Sequence, residues 1–159
     1  MSIQSTAAPV RAEVVVDAPI ERAFTVFTEG MNEWWPASHH ILEAELADMV
    51  FEPWAGGGII DKGIDGSECR WARVLVYEPP ERVTFSWDIS LNWKHEPDPE
   101  ATSEVEIRFT AETSTRTRVE LEHRNIERHG AGWEAMRDAV DSEGGWQGGL
   151  DLFAQHLRR

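Results

Sequence analysis

Apolar and polar residues alternate with a period of two through much of residues 41–124. The clearest example is the segment 103–111, in which Val105, Ile107 and Phe109 are separated by charged or polar residues. Residues two apart in a strand point to the same face of a sheet. A chain with this pattern forms strands that bury one face and expose the other, which is typical of an antiparallel sheet.

Six strands are predicted in this region, with turn signals between them. Turn-forming pairs such as Asp65-Gly66 and Pro79-Pro80 separate the apolar runs. The short connections predict an antiparallel meander. The predicted strands are 41–51, 58–62, 68–77, 82–89, 103–111 and 116–124.

A further strand and two short helices are predicted before this meander. The β-branched run at 10–16 is typical of a strand. Asp17 stands where an N-cap is expected and Pro19 at an early helical position, so a helix is predicted over 19–28. A second, shorter helix is predicted over 31–35.

Helical spacing returns near the end of the chain. Apolar side chains four, three and four residues apart define one face of a long helix. Asp141 or Ser142 is expected to cap it, and a separate short helix is predicted over 133–140. The face of the long helix is formed by Trp146, Leu150, Phe153 and Leu157.

The fold class follows from how the apolar face of the sheet is covered. The C-terminal helix is the one long apolar-faced element that can lie against it, which predicts an α+β fold. A chain of 159 residues is suited to one domain. We therefore expect a single domain over residues 1–159, with residues 1–9 flexible.

Four motifs resemble the START-like or SRPBCC superfamily, and within it the group related to the activator of the 90-kDa heat-shock protein ATPase. They are V-D-A-P-I-E-R-A-F at 16–24, E-P-W-A-G-G-G at 52–58, V-T-F-S-W at 83–87 and G-G-W-Q-G-G-L-D-L-F at 144–153. The resemblance implies the helix-grip fold, in which a curved antiparallel sheet of about seven strands wraps around a long C-terminal helix. It also implies a cavity that often holds an apolar or amphipathic small molecule.

Tryptophan is abundant, with eight residues in the chain. Large aromatic faces suit a flat or greasy ligand, although they also fill a thick core. We therefore predict that a small hydrophobic or aromatic molecule binds between the sheet and the C-terminal helix. The predicted ligand-binding residues are Trp35, Trp71, Phe85, Trp87, Phe109, His123, Trp146 and Phe153.

His123 is the titratable residue of most interest. It continues the inward phase of Val119 and Leu121, and a buried imidazole needs a hydrogen-bond partner. In a functional role, it orients a ligand carbonyl or acts as a general acid or base. In a structural role, it only forms a hydrogen bond with a backbone group. The structural role is favoured because no second catalytic group is placed by the sequence.

Catalysis stays an alternative to simple binding, in the form of a cyclase, aromatase or hydrolase that uses the same cavity. The acidic residues Asp61, Asp65, Glu68 and Asp88 fall at predicted strand edges or turns, where charge is usually solvated. No acid/base pair emerges, which favours a protein without catalytic activity. The adjacent pair at 39–40, two histidines, lacks the spacing of a metal site, so neither a metal nor another cofactor is predicted.

The net charge of −14 repels phosphate backbones and anionic headgroups, so neither nucleic acid nor a membrane surface is an expected partner. A single cysteine, Cys69, and the lack of a signal-peptide pattern favour a cytoplasmic location. A homodimer and a co-chaperone-like protein interaction are open alternatives. The resemblance implies that relatives which activate the chaperone ATPase carry a separate partner-binding domain; because we expect a single domain here, co-chaperone activity is disfavoured.

Overall fold

A computed structural model describes residues 8–36 and 39–158, and its elements follow the predicted order. Two short 3-10 turns, Pro99–Ala101 and Ile126–His129, lie on either side of the last strand pair. The strands and helices are β1 (Val10–Val16), α1 (Ile20–Thr28), α2 (Met31–Trp34), β2 (Leu46–Phe51), β3 (Gly58–Gly63), β4 (Glu68–Glu78), β5 (Arg82–Trp87), β6 (Ser103–Thr113), β7 (Arg116–Arg124), α3 (Trp133–Val140) and α4 (Trp146–Leu157).

The seven strands form one sheet in the order β1-β7-β6-β5-β4-β3-β2, and every neighbouring pair is antiparallel. The sheet curls into a half-barrel. In its centre, Val105 pairs with Phe85 on one side and with His123 on the other. These three residues therefore lie side by side on the concave face. The prediction of an α+β helix-grip fold is confirmed.

Helix α4 lies against the concave face, as predicted. Its apolar stripe is buried, and Phe153 packs edge-to-face on Phe27 of α1, with ring centroids 5.2 Å apart. On the other side of Phe153, the ring of Trp34 in α2 is 5.4 Å away. Burying each such side chain contributes about 1.5–3 kcal/mol. These contacts hold α1, α2 and α4 together over one end of the sheet.

The predicted helix caps are wrong. Helix α1 has Pro19 at its N-cap and no side-chain cap, so Asp17 does not fill that role. Helix α4 begins after Gly145, also without a side-chain cap. Asp141 instead ends α3 as its C-cap residue, and Ser142 bonds back to that helix. The two residues expected to start α4 are used to terminate the preceding helix.

Two predicted strands are shorter in the structure. Strand β2 begins at Leu46 rather than at residue 41, since Ile41 lies in a connection that borders the cavity described below. Strand β5 ends at Trp87, and beyond it Ile89 forms an isolated bridge with His95 as the chain folds back. Residues 1–7 lie outside the described part of the chain, so the flexibility predicted for residues 1–9 stays a prediction there. Within the described residues, no helix is long and apolar enough to span a membrane.

Candidate functional site

Four tryptophans from separate parts of the chain form a closed ring of contacts, which we call the tryptophan box. Trp35 follows α2, Trp71 lies in β4, Trp87 ends β5 and Trp146 begins α4. Going round the box, the ring centroids are 5.4 Å apart for Trp35 and Trp71, 5.7 Å for Trp71 and Trp87, 5.4 Å for Trp87 and Trp146, and 5.6 Å for Trp146 and Trp35. All four were predicted as site residues, and the structure brings them together.

The tryptophan box borders a cavity of about 470 Å³, a volume within the usual range for small-molecule sites. The cavity is lined by the loop with Pro36, His39, His40 and Ile41 and by the junction between α3 and α4. Near its mouth Trp93 is half exposed and has a φ of 61°, in the left-handed region that bulky residues rarely adopt. The box therefore forms the aromatic wall of a partly enclosed, mostly apolar site.

Asp61 is the one acidic residue that lines this cavity among the described residues. It lies in β3, two residues after Ile59, and both side chains are almost completely buried, with 1% and 0% of their surface exposed. Trp71 donates its indole N–H to Oδ1 of Asp61 over 3.1 Å. The other carboxyl oxygen, Oδ2, is buried and has no hydrogen-bond partner in the described part of the chain.

The environment of Asp61 disfavours its charged form. Burial raises the pKa of Asp61 from an ordinary 3.8 to about 6, and the hydrogen bond from Trp71 and the charge of His40 only partly oppose this effect. A buried carboxyl group with a raised pKa, facing an aromatic cavity, is typical of a functional site. The prediction that Asp61 is a solvated surface carboxylate is wrong.

A second unpaired polar group lies in the same wall. The indole N–H of Trp87 is buried and finds no acceptor among residues 8–36 and 39–158. By contrast, the N–H groups of Trp35 and Trp146 are bonded to the carbonyl oxygen of His39 and to His123. Two residues that line the cavity thus each carry a buried polar atom that the described residues leave unsatisfied, an acceptor on Asp61 and a donor on Trp87.

His123 lies directly behind the tryptophan box. It is completely buried, as its inward phase predicted, and its Nδ1 accepts the N–H of Trp146 over 3.0 Å. Because an indole N–H can only donate, the proton of the neutral imidazole is on Nε2, which donates to Ser103 Oγ over 2.7 Å. The Ser103 hydroxyl is then left to donate to Nε2 of His129, also over 2.7 Å.

Burial keeps His123 neutral. Burial, with a smaller contribution from His129, lowers the pKa of His123 to about 3. Since His123 does not itself line the cavity, its observed contacts orient Trp146 from behind. The partner that a buried histidine was expected to need is therefore an indole and a serine rather than a backbone group.

The remaining predicted site residues lie deeper in the core. Phe85 is 6.0 Å from the ring of Trp71 and 6.4 Å from that of Trp146, so it supports the floor of the box. Phe109 packs on α1, and Phe153 packs between α1 and α2. None of these three phenylalanines borders the cavity.

The other acidic candidates do not join the cavity lining. Asp88 is buried but pairs with Arg73, which donates to both of its carboxyl oxygens over 2.9 and 3.1 Å. Asp65 and Glu68 are exposed, as predicted. Cys69 is half-buried, and burial raises the pKa of its thiol, with a smaller contribution from the charge of Asp61.

A comparison with protein families gives one match that covers most of the chain. The family model described as "Activator of Hsp90 ATPase homolog 1-like protein" matches residues 17–158. A search of curated proteins gave no match.

Several solved structures are similar over nearly their whole length. An anthrahydroquino-gamma-pyrone synthase, Txn09, solved as a complex, is 38% identical, with 96% of this chain and 99% of that chain covered and a TM-score of 0.66. The self-sacrificing resistance protein CalC from Micromonospora echinospora is 25% identical, with 94% of each chain covered and a TM-score of 0.62. Protein NE0264 from Nitrosomonas europaea is 13% identical, with 99% of this chain and 98% of that chain covered and a TM-score of 0.66. At this low identity, the similarity shows the fold alone.

Proposed function

The chain belongs to the family of activator of Hsp90 ATPase homolog 1-like proteins, in the SRPBCC superfamily, and we propose that its cavity binds a planar aromatic molecule. The observation that carries this proposal is the tryptophan box. Four indoles in mutual contact border a cavity of about 470 Å³. Most of the surface that they offer is flat and apolar.

The physical basis of binding is stacking and the exclusion of water. A flat ligand that lies on an indole face gains the burial of its apolar area and about 0.5–1.5 kcal/mol for each well-placed aromatic pair. The box presents indole rings at several inclinations, from nearly stacked for Trp35 and Trp71 to edge-on for Trp71 and Trp87. A rigid fused-ring molecule loses little conformational entropy when it is held between such walls.

The name of one relative agrees with this ligand class. The 38% identical protein is a synthase of an anthrahydroquino-gamma-pyrone, a compound type built on flat fused rings. The eight proposed site residues have two different roles. Trp35, Trp71, Trp87 and Trp146 would contact the ligand, while Phe85, Phe109, His123 and Phe153 would hold these walls in place.

Titration with anthraquinone, followed by quenching of tryptophan fluorescence and by calorimetry, tests the proposal. Trp35→Ala is the variant of choice because Trp35 is half-buried and lies outside the helices and strands, so its loss should disturb the core least. We expect saturable binding to the wild type and binding about tenfold weaker in Trp35→Ala, which corresponds to 1.4 kcal/mol.

Trp54→Ala is the matched control, since Trp54 is 53% exposed and does not border the cavity. It removes the same side chain and should leave the affinity unchanged. Loss of affinity in both variants, or in neither, would contradict binding in the tryptophan box. Absence of saturable binding to the wild type would contradict the proposed ligand class.

Catalysis in the same cavity is a second candidate, favoured by the 38% identity to a synthase. The test is incubation with an anthrahydroquinone that carries an unclosed side chain, followed by chromatography and mass spectrometry. A new product that is absent when the protein is heat-inactivated would establish turnover. Recovery of unchanged substrate from a bound complex would favour a binding protein.

A further inference from the structure

Asp61 has a place in the wall that the fold alone does not explain. One carboxyl oxygen is bonded to Trp71, and the other is buried with no partner in the described residues. A carboxylate without compensation inside a protein costs free energy. An apolar residue at this position would avoid that cost, so the carboxyl group is better explained by something that enters the cavity.

Resting on the proposed function, we propose that Asp61 determines the specificity of the cavity by accepting a hydrogen bond from a hydroxyl group on the aromatic ligand. The acceptor is Oδ2, because Oδ1 is engaged by Trp71. The indole face of a wall tryptophan would fix the plane of the ligand. The carboxylate would then distinguish a hydroxylated ring from one that lacks a donor at this point.

The second unpaired group favours a neutral hydroxylated ligand over a cation. A cation would compensate Asp61 but would offer nothing to the buried N–H of Trp87, which lines the same cavity. Trp71 is next to both groups, since it bonds Asp61 and its ring is 5.7 Å from that of Trp87. A ligand with a hydroxyl donor and a carbonyl acceptor would satisfy both groups, as in a hydroxylated quinone.

Binding of such a ligand is linked to the protonation of Asp61. A hydroxyl donor stabilises the charged carboxylate, so its affinity should fall as the pH decreases through about 6. A methoxy group of similar shape cannot donate a hydrogen bond and only excludes water from the charged carboxylate. The affinity of a methoxy ligand should therefore rise as the pH decreases through about 6. Other titratable groups face this region, namely His39 and His40 in the cavity lining and Cys69 on β4. Only effects that are equal for the two ligands cancel in the ratio of affinities, so a variant at position 61 is needed to isolate the contribution of Asp61.

The experiment compares 2-hydroxyanthraquinone with 2-methoxyanthraquinone by calorimetry at pH 5 and pH 7. In the wild type at pH 7, we expect the hydroxylated probe to bind at least about tenfold more tightly than the methoxy probe. This preference should decrease about tenfold at pH 5, because most of Asp61 is then protonated.

Asp61→Asn tests the residue directly. Asparagine keeps an acceptor for Trp71 but replaces Oδ2 by an amide donor, so the preference for the hydroxyl and its pH dependence should both disappear. Glu68→Gln is the matched control, because it removes one negative charge from the neighbouring strand at an exposed position outside the cavity. It should keep both effects, and thermal unfolding of each variant establishes that it is folded.

The outcomes separate this inference from the proposed function. Equal affinities of the two probes for the wild type at pH 7, or a preference that survives in Asp61→Asn, would refute the role of Asp61 and leave aromatic binding intact. Failure of both probes to bind the wild type would refute the proposed function and this inference with it. The comparison of the two probes in the wild type stands even where a variant does not fold.

Discussion

Replacing Asp61 with asparagine should make the protein more stable at neutral pH. The carboxyl group is 1% exposed, keeps one hydrogen bond and has a second oxygen without a partner in the described residues. Asparagine has nearly the same shape and can still accept the N–H of Trp71. The substitution therefore removes a buried charge while the packing around it is retained.

The magnitude follows from the pKa of Asp61. The difference between an ordinary 3.8 and about 6 in the folded protein corresponds to about 3 kcal/mol. Between these two pH values, the folded protein holds a proton that the unfolded chain has released. Stability therefore falls as the pH rises through this window, and the full loss is present above pH 6. Asparagine does not titrate, so it avoids the loss.

Urea unfolding followed by circular dichroism at several pH values from 4 to 8 measures this effect. The free energy of unfolding of Asp61→Asn should exceed that of the wild type by about 3 kcal/mol at pH 7 and 8. The difference should shrink to about 0.5 kcal/mol at pH 4, where the carboxyl group is protonated in the folded protein and only somewhat more than half ionised in the unfolded chain. Contributions from other groups, including His123, cancel in the difference.

Asp88→Asn is the matched control, because Asp88 is also buried but is neutralised by Arg73. Here the substitution breaks a charge-assisted pair and should lower stability at pH 7 by about 1–3 kcal/mol. An Asp61→Asn variant that is less stable than the wild type at pH 7 would refute the reasoning. A gain of stability that stays constant from pH 4 to pH 8 would refute it as well, since the cause would not be the charge.

Two further predictions concern the support of the tryptophan box. His123→Phe removes the acceptor of the buried N–H of Trp146 and should lower stability at pH 7 by about 1–3 kcal/mol. The wild type should lose stability as the pH falls below 6.5, because folded His123 excludes a proton that the unfolded chain accepts, and His123→Phe should lose less. Urea unfolding at pH 5 and 7 measures this difference. An unchanged pH dependence of stability would contradict it. Gly145→Ala places a Cβ 2.1 Å from the carbonyl oxygen of Val140 and should cost about 3 kcal/mol. Gly144→Ala meets no heavy atom of the described residues within 4 Å and should be nearly neutral, so equal melting temperatures of the two variants would show that the close contact is not limiting.

The sheet was predictable because its inner and outer faces are encoded locally. In β6 and β7 the alternation is long and regular, so the inward positions, including His123, could be assigned from the sequence. Helix caps could not be assigned in this way. At Asp141 and Ser142, the same residue types serve equally well to end one helix or to begin the next, and only the packing of α3 decides between these uses.

The tryptophan box was predictable only as a set of candidates. Three of the indoles belong to β4, β5 and α4 and the fourth follows α2, so their contacts depend on how these elements meet in space. Asp61 was missed for a different reason. It lies in a strand of six residues with a glycine at each end, where two inward positions, Ile59 and Asp61, are too few for alternation to outweigh the polarity of aspartate.

The contrast between two buried aspartates supports a functional explanation of the cavity. At Asp88 the fold supplies a guanidinium and satisfies both carboxyl oxygens, as a buried charge requires. At Asp61 the described residues supply one hydrogen bond, from the indole N–H of Trp71, and burial raises the pKa of the carboxyl group to about 6. The described residues therefore compensate one buried carboxylate fully and the other only in part, and the second one belongs to the lining of the cavity. A ligand that donates to Asp61 would complete at this position what Arg73 completes at Asp88.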